Sequence, residues 1–538
     1  MHGEEFEFGR RPFLGGAGTT LAMLLAAARP AAAQSAQRRS TLIIAMDISD
    51  TLVLDPARVR SYTNPMPTRA AYDPLVRMTV DNYVTPQPCL ATEWAYLPDG
   101  KTVRFKLRDD VRFVSGAKVT AEDVRFSFMR LLHLREQPSQ YIAHVDHVAV
   151  VDDHTVDIVL NDASLPLLTI IAAPEFGITE KAVVVAHGGT DAVDANDTDT
   201  ATPWLNENSA GSGAYRLVGW RRNEQVQLAR NPGFWDGHPG YERVIIRHMN
   251  ESAQQMLAIQ HGDADVAFNL IPEQIAQLKG DPNIAIVRET SLDFMYMALA
   301  ESPDNPILKQ PKARQAIAYA IDYDGIIAGL AGGNAVRPTS FLPVGVNGST
   351  EALTKEVGFR EDLPRSRRLL AEVGAPDGFA FRLTYANAAF NGVKYSDVAQ
   401  KLQADLGRVG IKVELAPTDA VSLASQYLGG KVQGVMASWN PVTVENQLWA
   451  SGTIVRVAQR LHWDVPQEFR ELVHQAGAER DPKKSADLWQ QYQKQMVDFA
   501  HLIVLFQPIY QVAVRTSVAG FKVTPAGWIA ELDTAHPT

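Results

Sequence analysis

Apolar and polar positions along this chain follow patterns that change from block to block, and each pattern predicts a different element. Thr41-Leu42-Ile43-Ile44-Ala45-Met46 is a short apolar run, as a buried strand requires. From Val103 the period is two: Val103, Phe105 and Leu107, then Val111 and Phe113 after Asp109-Asp110. That predicts a half-buried antiparallel pair. Thr120-Ala121-Glu122-Asp123 reads as a helix N-cap with an acid at N3, and Val124, Phe128 and Leu131-Leu132 supply the apolar face. Val148 and Val150, then Val156, Ile158 and Leu160, alternate around Asp152-Asp153-His154, the signature of a hairpin. Strands therefore dominate from about 81 to 185.

Residues 186–213 break the pattern with Gly188-Gly189, scattered acids and few apolar positions, and predict a long polar loop between domains. Helices and strands alternate beyond it. Met256, Leu257 and Ile259 belong to a helix ending near Gly262, a strand follows over 264–268, a short helix starts at Pro272, and another strand covers 284–287. Val398, Leu402 and Leu406 then recur at helical spacing, Gly410 stops the helix, and Ile411, Val413 and Leu415 alternate. Helix, glycine and strand in that order are what an α/β lobe requires. Leu502–Phe506 is a late buried strand that can return to the first lobe. No repeat of 20–50 residues is evident, which argues against solenoids and propellers.

Composition narrows the class. The chain has 538 residues, 46% hydrophobic and 21% charged, and a formal net charge of −10. That is globular, long enough for about three domains, and lacks the basic signature of a nucleic-acid or polybasic membrane-surface binder. The only cysteine, Cys89, can form neither an intrachain disulfide nor a CxxC site, and predicts a small buried residue. Residues 1–33 resemble a twin-arginine export signal. Arg10-Arg11 precedes a glycine-diluted apolar stretch from Phe13 to Ala28, and Ala31-Ala32-Ala33 offers a cleavage site before Gln34. Glu4, Glu5 and Glu7 depart from that pattern by making the leading segment acidic. The apolar stretch is shorter than the ~20 residues of a membrane span. The expectation is a periplasmic protein, not membrane-embedded, and monomeric.

Several stretches in register resemble one family. Asp99-Gly100-Lys101-Thr102-Val103-Arg104-Phe105-Lys106-Leu107-Arg108, followed by Val119-Thr120-Ala121-Glu122-Asp123-Val124, is similar to the signature of the peptide/opine/nickel-type solute-binding proteins of ABC importers, solute-binding family 5. So are Gly211-Ser212-Gly213-Ala214-Tyr215-Arg216-Leu217 with Asn231-Pro232-Gly233-Phe234-Trp235, and Arg314-Gln315-Ala316-Ile317-Ala318-Tyr319-Ala320-Ile321-Asp322. Leu369-Leu370-Ala371-Glu372-Val373-Gly374 with Pro376-Asp377-Gly378-Phe379, then Gly410-Ile411-Lys412-Val413-Glu414, complete the series. The resemblance implies an α/β, two-lobed periplasmic binding protein (class II, cluster C type) with an extra strand-rich domain. Domain I would comprise 34–80, 206–298 and 505–538, domain II 81–205 and domain III 299–504. The solute would sit between domains I and III, enclosed by hinge closure. Partners would be a small or peptide-like ligand and an inner-membrane permease with cytoplasmic ATPases, with no nucleic acid.

Catalytic patterns are sparse: there is no GxSxG, HExxH, Walker loop or dinucleotide fingerprint, so no enzyme and no cofactor is expected. His144, His147 and His154 cluster with Asp146, Asp152 and Asp153, yet on a strand His144 and His147 face opposite ways, so no metal site is expected. The family resemblance places Ala437-Ser438-Trp439-Asn440-Pro441 at the cleft loop. Peptide-binding relatives show there a tryptophan and then an aspartate that pairs with the peptide ammonium. This chain keeps Trp439 but has Asn440, and its next acid is Glu445. An amide supplies no charge to offset a buried ammonium. Blocked or modified peptides, opine-like conjugates and small glycosides are the expected solutes. Tyr141 matches a position where domain II reaches the ligand, and Phe506-Gln507 match a crossover strand; Tyr62, Tyr72 and Tyr296 lie near strand ends facing the expected cleft. A chemoreceptor-linked binding protein would share fold and pocket, and a twin-arginine-exported enzyme is the third class.

Overall fold

The computed structural model describes residues 40–59, 65–162, 166–440, 444–479, 481–526 and 530–538. The export segment and Tyr62 lie outside the described residues.

The apolar run Thr41–Met46 forms a strand with every residue buried, flanked by the parallel strands Arg243–His248 and Val266–Ala267. Strands buried on both faces read as continuous apolar runs, which is why this segment lacks alternation. The hairpin Tyr215–Arg221 and Gln225–Arg230 extends the sheet beyond Arg243–His248. Together these strands make one lobe. The other is built on Phe294–Leu299, Gly434–Trp439, Ala380–Ala386 and Lys412–Thr418 in that spatial order. Helix Tyr395–Gly407 packs across it through Val398, Leu402 and Leu406, all fully buried. Gly410 then turns the chain at φ 85 into Lys412–Thr418.

One strand joins the lobes. Leu502–Arg515 runs for 14 residues, and its first part pairs with Phe294–Leu299. Its second part pairs with Ile284–Thr290 and Val266–Ala267 in the other lobe. The chain therefore crosses between lobes near Ser291–Asp293 and again inside Leu502–Arg515. Gln507 is fully buried at this crossing, where its side-chain amide accepts from Val344 N and donates to Val344 O at 2.8 and 3.0 Å. The Tyr510 hydroxyl donates to Asp293 at the same level.

A separate antiparallel sheet has the order Ala91–Tyr96, Thr102–Leu107, Thr155–Leu160, Val145–Asp152, with helix Ala121–Leu134 over it. The helix begins as expected, with a reciprocal Thr120–Asp123 capping box. Two expectations need correction here. Val111 and Phe113 are buried, but they do not form a strand paired with Thr102–Leu107. They sit in a tight loop closed by an isolated Arg112–Lys118 bridge and a turn at Gly116, φ 94. The segment 186–213 is also more than a polar loop. It holds the short helices Ala195–Thr198 and Thr202–Leu205. Its Asp199 reaches a fully buried guanidinium, Arg130, which also grips Asp55 at 2.6 and 2.9 Å. Buried charges persist only when paired, and this triad of Arg130, Asp55 and Asp199 ties three distant segments together. Asp55 stays ionised in this setting: burial would raise its pKa, but the Arg130 charge and hydrogen bonds pull it below its usual value.

Candidate functional site

A cavity of about 330 Å³ opens between the two lobes. One wall comes from the chain just beyond Val266–Ala267, namely Phe268, Asn269 and Pro272. The facing wall comes from the small hairpin Ala389–Lys394 and from Phe506 and Tyr510 of the crossover strand. Loops at the carboxyl ends of parallel strands are where α/β sheets bind ligands, because backbone groups there are not consumed by the ladder.

The wall residues are held in place by buried amides. Asn269 Oδ1 accepts from Asp47 N at 2.8 Å and from Gln255 Nε2 at 3.2 Å. Gln255, fully buried, in turn binds the backbone of Met249 and Asn269. The hairpin facing it turns at Asn391-Gly392, with φ 47 and 80, the left-handed pair that a two-residue hairpin turn needs. Its tip lies against the opposite lobe: a Cβ on Gly392 would come within 3.4 Å of Ile271 Cα and Pro272 Cδ.

Beside the cavity the end of strand Gly434–Trp439 presents its side chains alternately. Ser438 shares a side-chain hydrogen bond with Tyr395, at the start of the helix after the hairpin, and donates to Asn440 Oδ1 at 3.3 Å. Trp439 points the other way, half-buried, edge-on to Phe341 at 5.1 Å. Phe341 also meets Phe294 at 4.9 Å and Tyr296 at 5.0 Å, so four rings form one aromatic wall. Trp439 Nε1 is buried with no hydrogen-bond partner among the described residues. Tyr296 is buried and its hydroxyl lies 3.4 Å from that of Tyr427; burial holds its pKa far above the usual value.

Of the expected site residues described, Phe506 alone lines this cavity; Tyr296 and Trp439 meet through Phe341, Asn440 bonds Ser438, and Gln507 is buried at the crossing between lobes. Tyr141 does not line this cavity; it is half-buried, with its hydroxyl raised in pKa by burial and by Glu175 and opposed by Arg456. Glu175 is itself buried, its Oε2 lacks a partner among the described residues, and burial pushes it up to about 7. Tyr72 is packed inside, against Gly177 and Gly211, with its hydroxyl accepting from Ala210 N at 3.4 Å. Asn269, Asn391, Lys394 and Phe341 escaped the sequence reading. The one signal for them was position: each follows or links the apolar runs whose ends form the cleft. Among the described residues no group of three or more His, Cys, Asp or Glu could hold a metal. His147 pairs instead with Asp146 at 2.7 Å on an exposed strand. Cys89 is buried as expected. No described helix is long and apolar enough to cross a membrane.

Comparison with known proteins agrees with this architecture. The family model described as bacterial extracellular solute-binding proteins, family 5 (middle), matches residues 85–451. The probable D,D-dipeptide-binding periplasmic protein DdpA of Escherichia coli K12 is 27% identical over 515 residues, covering 94% of this chain and 96% of the relative. Among solved structures, the dipeptide-binding protein of Pseudoalteromonas sp. SM9913, in complex with Met-Leu, superposes with a TM-score of 0.75 at 20% identity. It covers 93% of this chain and 100% of that one. AgaA of Agrobacterium tumefaciens R10, in complex with agropinic acid, superposes at 0.72 with 20% identity, covering 93% and 99%.

Proposed function

The chain belongs to the bacterial extracellular solute-binding proteins of family 5, and we propose from this that it works in the periplasm as the capture component of an ABC importer. It closes two lobes on a peptide-like or opine-like solute and presents it to an inner-membrane permease driven by cytoplasmic ATPases. The observation that carries the proposal is the cavity lined from both lobes, with a hairpin of one lobe resting on Pro272 of the other. A solute held there contacts both lobes only when they are together, so binding and closure are one event.

The solute class follows from the site and its relatives. DdpA and the Pseudoalteromonas protein carry dipeptide in their names, and AgaA holds agropinic acid. Asn440 supplies no charge for an ammonium, which favours blocked or conjugated amines over simple dipeptides. The division into domain I (34–80, 206–298, 505–538), domain II (81–205) and domain III (299–504) belongs to the same proposal. The separate four-stranded sheet and the two sheet halves joined by Leu502–Arg515 support it. Export through the twin-arginine route rests on Arg10-Arg11 and the site before Gln34.

Isothermal titration of the mature protein against N-acetylated dipeptides, opines and unmodified dipeptides tests the function. Micromolar binding of the first two classes is expected, and binding of none of the three would overturn it. For export, Arg10-Arg11→Lys-Lys should keep the protein out of the periplasm; undiminished periplasmic protein would exclude the twin-arginine route.

A further inference from the structure

The strands Tyr215–Arg221, Gln225–Arg230 and Arg243–His248 end the first lobe's sheet, and they bury only one of its faces. Tyr215 and Leu217, Val226 and Leu228, and Val244 and Ile246 point into the core. The alternate positions carry arginines. Arg216 and Arg243 flank Ala229 from its two sides, and Arg221 and Arg247 flank Gln225 in the same way. Directly opposite residues share a face, so all four arginines stand on the outer one. With strands about 4.8 Å apart and about 3.3 Å per residue, their Cα atoms mark a rectangle of about 10 by 13 Å. Arg216, Arg221 and Arg243 are exposed and Arg247 is half-buried. Arg221 pairs with Glu224 at 3.1 Å, and among the described residues it alone of the four makes an ion pair. A chain of net charge −10 thus gathers on one sheet face basic groups that its sequence scatters from 216 to 247.

We propose that this face rests on an anionic phospholipid bilayer, with its arginines on the headgroup phosphates. A protein partner would draw on buried aromatic and apolar anchors, and the face has almost none. Between the arginines stand Ala229, Gln225, Gln227 and half-buried Ile245, Trp220 is turned to the core, and only the bulge residue Val218 is apolar and exposed. Guanidinium groups spread over a flat sheet suit anions spread over a flat surface, and the guanidinium fork matches phosphate. Screening over about 8 Å at physiological salt lets the near arginines act while the distant acids of the chain do not. The strand bearing Arg243 and Arg247 leads to Asn250 on the cavity wall, so the face meets the cavity at its edge. A molecule held this way keeps its solute site beside the bilayer. The contact needs no solute and goes beyond the capture role proposed above.

Co-sedimentation of the mature protein with vesicles tests it, using mixed phosphatidylglycerol and phosphatidylcholine in one arm and phosphatidylcholine alone in the other. Binding is expected in the first arm only. At ~1 M salt, where screening acts within about 3 Å, the protein should be released. An arginine near a charged surface contributes roughly fivefold, so Arg243→Gln with Arg247→Gln should weaken vesicle binding ~25-fold. Arg216→Gln alone should cost ~5-fold, an independent measure should the double variant fold poorly. Replacing Arg243 and Arg247 by lysine should keep most of the affinity, and Arg368→Gln, at an exposed position in the other lobe, should change nothing. No binding to the anionic vesicles, equal binding to both kinds, or an equal loss in Arg368→Gln overturns the proposal. Release by inorganic phosphate at matched ionic strength would mean that the face holds a free anion, and would overturn it as well. None of these failures touches solute capture, which titration with solute measures separately.

Discussion

At the scale of single residues, the site mixes groups that the sequence announces with groups only the fold reveals. Trp439 stands out in the sequence as a tryptophan before a loop, and the family resemblance implies a place for it at the cleft. Lys394 and Asn269 do not stand out: isolated amides and lysines are common, and only the approach of two lobes gives them a shared cavity. Tyr72 illustrates the opposite error. A tyrosine near a strand end looks the same in sequence whether its ring lines a cleft or, as here, packs on Gly177 and Gly211. Because Trp439 offers the largest aromatic surface of the wall and an Nε1 donor with no partner among the described residues, Trp439→Ala should weaken solute binding more than Tyr141→Phe or Tyr296→Phe, by about 2 kcal/mol or more. Asn440→Asp should at the same time create measurable affinity for unmodified dipeptides. Tight dipeptide binding by the wild type would show that the missing acid does not govern specificity.

Glu175 carries a residue-scale consequence for stability. Burial raises it from an ordinary 4.5 to about 7, so over that range the folded chain holds a proton that the unfolded chain has released. Unfolding then sheds protons, and stability falls as pH rises from about 4.5 to about 7. At 1.36 kcal/mol per unit the loss is at most about 3 kcal/mol. Glu175→Gln, which stays neutral, should therefore unfold at a higher temperature than wild type at pH 8 and at nearly the same temperature at pH 4.5. Identical pH profiles of the two proteins would remove Glu175 from the account.

At the scale of elements, legibility depended on whether a segment's neighbours in space were also neighbours in sequence. The Thr120–Asp123 capping box and the glycine stop at Gly410 are local devices and were readable directly. The segment 186–213 reads in sequence as a long polar loop between domains because what orders it, Arg130, lies more than fifty residues away. Val111 and Phe113 looked like a strand because burial in a loop and burial in a strand give the same apolar spacing. The hairpin Ala389–Lys394 is the element most exposed to test. Gly392 sits at φ 80 against Ile271 and Pro272, so Gly392→Val adds two separable costs. Backbone strain is paid in both open and closed forms and lowers the melting temperature of the free protein. Crowding against the other lobe exists only where the lobes meet, and overpacking of about 1 kcal/mol weakens solute binding by ~5-fold. A lower melting temperature with an unchanged dissociation constant would mean that the hairpin takes no part in closure.

At the scale of the whole molecule, the connection between lobes decides how the protein can move. Among the described residues the chain crosses between the lobes near Ser291–Asp293 and within Leu502–Arg515, and both crossings are pinned by buried polar side chains, Gln507 to Val344 and Tyr510 to Asp293. Such a junction resists sliding of one lobe over the other but permits rotation about the crossing strands, a hinge in which a few residues absorb the change in backbone angles. The cavity is lined from both lobes, and Gly392 of one lies against Pro272 of the other, so a rotation that parts the lobes separates these groups. Solute contacts from both lobes therefore stabilise the closed form and not the open one. At a solute concentration ~100 times the dissociation constant, the stabilisation should be about 2.7 kcal/mol. X-ray scattering should then show a smaller radius of gyration on adding solute, and solute should slow amide exchange along Ala389–Lys394 and at Phe268–Pro272 more than in the four-stranded sheet around Thr102–Leu107. Confirmed tight binding with an unchanged radius and uniform exchange would mean that the lobes are already fixed together and that solute enters a preformed cavity.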